Sequence, residues 1–129
     1  MPPLLVRHLM HAPVVSLFGD QTMPLAEDVM AFKHVHHLPV IDETGRVVGV
    51  VSDRDLLRMS RDDELRVADV MTRDVWTVAM DTLASEAGAV MRDQRFGCLP
   101  VVDGDGVLVG IVTEHDFLSF AVRAIAMHD

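Results

Sequence analysis

The sequence predicts an α+β fold of two β-α-β-β-α copies, packed sheet to sheet with pseudo-two-fold symmetry. Three observations predict it. First, the stretch Gly49-Val50-Val51-Ser52-Asp53-Arg54-Asp55-Leu56-Leu57 returns as Gly110-Ile111-Val112-Thr113-Glu114-His115-Asp116-Phe117-Leu118. Second, a shift of 61 residues lays the rest of the chain on itself without a gap, with roughly a third of the aligned positions identical. Val6 meets Val67, Met10 meets Met71, Leu38-Pro39-Val40 meets Leu99-Pro100-Val101, and Gly45 meets Gly106. Third, a unit of about sixty residues buries too little surface to stand comfortably alone, so the copies should pack on one another. The copies span 1–61 and 62–129.

Each element follows from local pattern. Val6 to Met10 reads as a short helical turn, and Pro13 leads into a brief strand, Val14 to Leu17. Leu25, Ala26, Val29, Met30 and Val35 recur near one face of a helix from about Met23 to Val35. Leu38 to Ile41 is a strand whose proline sits near its start, where a missing N–H is tolerated. Asp42-Glu43-Thr44-Gly45 is a turn, and Val47 to Val51 completes a hairpin. A closing helix runs from Asp53 to about Arg61. The second copy repeats the order: a turn at Val67 to Met71, a strand at Val75 to Val78 and a helix at Leu83 to Arg95. A hairpin of Leu99 to Val102 and Val107 to Val112 follows, then a longer helix from Glu114 to near Met127. The charged segment Arg61-Asp62-Asp63-Glu64 is the natural linker.

Composition narrows the function. Half of the 129 residues are apolar and the mean hydropathy is +0.27, enough for a real core and unlike a disordered chain. No apolar run approaches the roughly 18–20 residues that span a bilayer. Met1-Pro2-Pro3-Leu4-Leu5-Val6-Arg7 is too short to be a secretory signal. A single cysteine, Cys98, makes no internal disulfide, which points to a reducing, cytoplasmic setting. A formal charge of −9 argues against nonspecific nucleic-acid binding. It leaves room for a nucleotide held by local donors such as Arg54, His115 and Arg7.

The two repeated corners carry the chemistry. In each, a β-branched strand runs straight into a helix through a hydroxyl residue with an acid three places on. That pattern is a capping box with aspartate in place of glutamate. It also sets a carboxylate beside a helix start, whose unpaired N–H groups and positive dipole end welcome anions. A carboxylate accepts more than one hydrogen bond, so cap and ligand site are compatible. From the residues alone both remain open.

Val6-Arg7-His8-Leu9-Met10 with Val67-Ala68-Asp69-Val70-Met71, the two Leu-Pro-Val-(Ile/Val)-Asp segments and the two Gly-x-x-(Ser/Thr)-x-x-Asp corners form an ordered set, present twice at one spacing. Together they resemble the tandem cystathionine-β-synthase (CBS) domain pair, or Bateman module, over about residues 4–125. The resemblance implies a regulatory or sensor module, not an enzyme, that needs no cofactor. It would bind AMP, ADP, ATP or S-adenosylmethionine in clefts between the repeats and signal by a change of conformation or dimer geometry. It implies a homodimer acting on a regulated protein that the sequence does not identify, with no nucleic acid or membrane as partner. Within the 129 residues no attached enzyme, channel or DNA-binding domain is expected. In the family the motif acid binds the ribose hydroxyls and the hydroxyl residue lies near the phosphates, here Asp55 with Ser52 and Asp116 with Thr113. The base would be bordered by Ser16, Leu17, Thr77 and Val78, with backbone near Pro39 and Pro100. One departure is His8, where the second copy has Asp69.

Other signals have plainer readings. His34-x-His36-His37 matches Arg95, Gly97 and Cys98 in the second copy, so a metal site is not expected from it. Cys98 reads as a small buried apolar residue. Asp103-Gly104-Asp105-Gly106 lacks the later ligands of a calcium loop and reads as a hairpin turn. The nine methionines and Phe117, Phe120, Val122 and Ile125 suit core packing and a dimer face. The alternative function is a ligand-free dimerisation scaffold, sensitive to change at Phe117 or Phe120 and not at the aspartates.

Overall fold

In the computed structural model, which describes residues 2–57 and 65–129, the elements repeat at the spacing of the sequence copies. In the first copy they are α1 (Val6–Leu9), β1 (Leu17–Phe18), α2 (Met23–Lys33), β2 (His37–Ile41), β3 (Val47–Ser52) and α3 (Asp53–Leu57). In the second they are α4 (Val67–Val70), β4 (Val78–Ala79), α5 (Ala84–Gln94), β5 (Cys98–Val102), β6 (Leu108–Thr113) and α6 (Glu114–Ala126). The fold class is α+β, with two three-stranded sheets ordered β1-β2-β3 and β4-β5-β6. The expected linker and the last residues of the first closing helix lie outside the described residues.

Both edge strands sit later than the sequence suggests. They were expected at Val14–Leu17 and Val75–Val78, but the parallel ladder to the central strand begins only where Leu17 faces Val40 and Val78 faces Val101. The long helices also stop early, at Lys33 and Gln94. His34 and Arg95 take left-handed conformations (φ 56° and 59°), and their N–H groups bond back to the Met30 and Met91 carbonyls. Such caps usually fall to glycine, so nothing in the composition marked them.

The residues form two compact units. One comprises Val15–Val75 with Asp105–Leu108. Its core holds Leu17, Met23, Ala26, Met30, Leu38, Val40, Val51 and Val67. The other comprises Met1–Val14, Trp76–Gly104 and Val109–Asp129, with Val6, Ala87, Met91, Leu99, Val101 and Val112 at its centre. Each core thus holds an opening turn from the other sequence copy. Backbone bonds tie the turns in: Val6 N–H to the Thr82 carbonyl (2.9 Å) and Val67 N–H to the Gln21 carbonyl (2.8 Å). In return the Leu4 and Leu65 carbonyls accept from Ala84 and Met23 at the starts of α5 and α2, each at 2.9 Å. Those N–H groups have no partner within their own helices.

The odd residue of the first opening turn has a physical role. His8 Nδ1 accepts the Leu5 N–H at 2.9 Å, as the Asp69 carboxylate accepts the Arg66 N–H at 3.0 Å. Histidine replaces the acid as the acceptor that closes the turn.

Candidate functional site: two strand-to-helix corners

Strand register gathers the candidate residues at one end of each sheet. In the first, Leu17 lies opposite Val40, which brings Ser16 toward Pro39, while His37 pairs with Ser52 at the end of β3. Leu17 and Pro39 are buried and Ser16 is half-buried. In the second sheet, Val78 opposite Val101 brings Thr77 toward Pro100. Pro100 is buried, Val78 half-buried and Thr77 exposed.

At the first corner Ser52 donates its N–H (2.8 Å) and its hydroxyl (3.2 Å) to Asp55 Oδ2. At the second, Thr113 donates its N–H (2.8 Å) and its hydroxyl (3.1 Å) to Asp116 Oδ2. Both carboxylates are only 7% exposed. Burying a carboxylate is costly unless it is hydrogen-bonded, and each corner supplies two such bonds from its own hydroxyl residue. The first N–H of the following helix is also spoken for: Asp53 donates to the His36 carbonyl (2.9 Å) and Glu114 to the Gly97 carbonyl (3.0 Å).

The remaining candidates sit outside this buried centre. Arg54 and His115 are exposed on their helices, and His115 Nε2 lies 3.4 Å from Ser119 Oγ. His36 pairs with Asp53 at 2.9 Å. Among the described residues no three histidine, cysteine or acidic side chains gather as a metal site would require. Cys98 is buried at the start of β5, where burial and then the charge of Glu114 push its thiol up to about 12. Phe117 is half-buried, packed against the second core and beside Gly88; Phe120 stays 41% exposed.

A contact not expected from sequence completes the second corner. His11 Nε2 lies 2.5 Å from Asp116 Oδ1, the oxygen that the Thr113 bonds leave open. His11 is held there by a two-way backbone pair with Ile111 (2.9 and 3.1 Å), and its imidazole is 67% exposed. Thr72 stands at the matching place of the first corner, paired in the same way with Val50 (2.9 and 3.0 Å). The signal available in sequence was the mismatch of His11 with Thr72 inside an otherwise matched opening segment.

The CBS domain family matches residues 6–62 and again 67–123. The chain belongs to the CBS domain family. Among solved structures, a CBS domain pair of the protein MJ0100, crystallised with 5′-methylthioadenosine and S-adenosyl-L-methionine, superposes with a TM-score of 0.89 at 25% identity. That match covers 95% of this CBS pair and 99% of the other chain. CBSX2 in complex with AMP gives 0.83 at 30% identity, over 94% and 98% of the two chains. The cytosolic domain of the Mg2+ channel MgtE, in complex with ATP, gives 0.75 at 35% identity, over 86% and 46%. Among sequence relatives, a CBS domain-containing protein of Dictyostelium discoideum is 29% identical, over 95% of this chain and 94% of its own. A homoserine O-acetyltransferase of Methanohalophilus mahii is 33% identical over 85% of this chain, which spans only 23% of that relative. No helix among the described residues is long and apolar enough to cross a membrane.

Proposed function

We propose that this CBS pair is a regulatory, non-catalytic module that binds adenosine-containing ligands at its two corners. Asp55 and Asp116 take the ribose hydroxyls, Ser52 and Thr113 stand near the phosphates, and Ser16, Leu17, Thr77 and Val78 border the base. Pro39 and Pro100 contribute backbone, and Arg54 and His115 supply outlying positive charge. The observation that carries the reading is the matched pair of buried carboxylates, each fixed through one oxygen by its own corner. A carboxylate held in that way is fixed in position and accepts more than one hydrogen bond, as a diol requires. The AMP, S-adenosylmethionine and ATP in the solved relatives supply the ligand class.

Signalling then follows from linkage: ligand favours whichever arrangement of the molecule it binds better, and only that difference moves the equilibrium. Thermal melts with AMP, ADP, ATP and S-adenosylmethionine test the reading. Ligand at a hundred times its Kd stabilises by about 2.7 kcal/mol. Asp55→Ala and Asp116→Ala each remove part of the shift. No shift with any of the four, in protein stripped of bound small molecules, contradicts it.

A second feature concerns assembly. Leu118, Val122 and Ile125 form an exposed apolar stripe on α6, at 62%, 57% and 61% exposure. Their spacing sets them on one face of the helix. The partner we assign to this stripe is a second copy of the chain, giving a homodimer whose geometry the ligand alters.

A further inference from the structure

We propose that Trp76 is a stacking platform for the adenine base at the Asp116 corner, so that this corner grips the base as well as the sugar. The inference rests on the adenosyl reading above and extends it to a residue that reading does not use. Trp76 is the chain's single tryptophan, and it stands 50% exposed. A large ring left half in water forgoes much of what burial would give it. The fold does not demand an aromatic pair at these places either. At the repeat offset Trp76 and Phe96 answer to Val15 and Val35.

Its setting ties it to the corner. Trp76 lies two residues before Val78, where the parallel ladder to β5 begins opposite Val101, so it stands level with the start of β5. Its ring meets Phe96 edge to face, with centroids 5.7 Å apart and planes at 64°. Phe96 is itself anchored, packed against the second core with its N–H on the Met91 carbonyl at 3.0 Å. The next residue, Gly97, accepts the Glu114 N–H at 3.0 Å, and Glu114 opens the helix that carries Asp116. One short piece of chain thus links the indole to the acid of the second corner. An edge contact leaves an indole face open, and every base has a π-face to lay on it. Thr77 and Val78, already assigned to the base, follow Trp76 directly in the chain.

Because the chain has no other tryptophan, emission reports on this place in the wild type itself. AMP quenches it in the wild type and in Asp55→Asn protein, and leaves it unchanged in Asp116→Asn protein. Calorimetric titration into Asp55→Asn protein then reads the second corner alone, with AMP and with ribose 5-phosphate, which lacks the base. Trp76→Leu weakens AMP roughly tenfold, within the range for loss of one base-on-ring stack, and leaves ribose 5-phosphate as it was. Trp76→Phe restores most of the loss. A merely structural role for Trp76 predicts equal loss for both ligands and no rescue by phenylalanine. Nucleotide-free melts confirm that each variant is folded, and the quench in the wild type stands as the test where one is not. AMP binding in Asp55→Asn protein with unaltered emission, or with the same affinity after Trp76→Leu, overturns this inference alone. If the wild type binds no AMP, the adenosyl reading falls and this inference with it.

Discussion

The Thr72 carbonyl oxygen closes so tightly over Gly49 that a Cβ there would stand 2.8 Å from it, and 2.6 Å from Met71 Sδ. The His11 carbonyl and Met10 Sδ crowd Gly110 in the same way, at 3.0 and 2.8 Å. These glycines let an opening segment lie flat on β3 and on β6, and so place Thr72 and His11 beside the corners. A flexible methionine end can yield, but a paired backbone cannot. Gly49→Ala and Gly110→Ala should each cost about 1–3 kcal/mol in urea unfolding. Gly104→Ala, where nothing lies within 4 Å of the added carbon, should stay within about 0.5 kcal/mol.

Val6 is fully buried among residues of the second sequence copy, and Val67 among those of the first. Val6→Ala removes two buried methyl groups and should cost about 2 kcal/mol. Its loss of amide-exchange protection should fall on α5, β5 and β6, and leave β2 and β3 largely unchanged. Val67→Ala should show the opposite pattern. Loss confined to the copy that carries the substitution would contradict the exchanged turns.

Much of this was legible from the chain, and the exceptions have physical reasons. Element order and spacing came through because the glycines, prolines and corner acids recur at one offset. The hairpin turn was readable from Asp42, whose carboxylate accepts the Thr44 N–H (2.8 Å) and hydroxyl (2.6 Å). What periodicity cannot tell is which core an opening turn joins, since Val6 and Val67 are alike in type and setting. The left-handed caps at His34 and Arg95 were hidden because neither residue type signals that conformation. The His11 contact spans 105 positions and no local pattern reports it.

Cys98 supplies a pH test. Its thiol rises from 9.0 to about 12 in the folded chain, mainly through burial. Between those values the unfolded chain loses a proton that the folded chain keeps, so the stabilisation is complete below pH 9.0 and is lost as pH climbs toward 12. The slope contributed is at most about 1.4 kcal/mol per pH unit. Urea unfolding of wild type and Cys98→Ala at about pH 8 and about pH 10 should show the wild type losing more stability over that interval. Modification of the folded thiol by iodoacetamide should be slow at neutral pH and become fast on unfolding.

The exposed stripe on α6 gives a separate test of assembly. Leu118→Glu with Ile125→Glu should turn a dimer into a monomer in light scattering, with little change in the melting temperature of the monomeric fold. A wild-type monomer at concentrations of about 100 μM would contradict the assignment, since a regulatory dimer weaker than that holds few subunits together.

The central claim is that the two corner acids grip a sugar diol. A crystal structure of the protein grown with AMP tests it most directly. The account predicts ribose hydroxyls within about 2.5–3.0 Å of Asp55, and of Asp116 once His11 has turned aside or given up one acceptor position. Nucleoside density elsewhere, with both carboxylates bonded only to Ser52, Thr113 and other groups of their own chain, would contradict it.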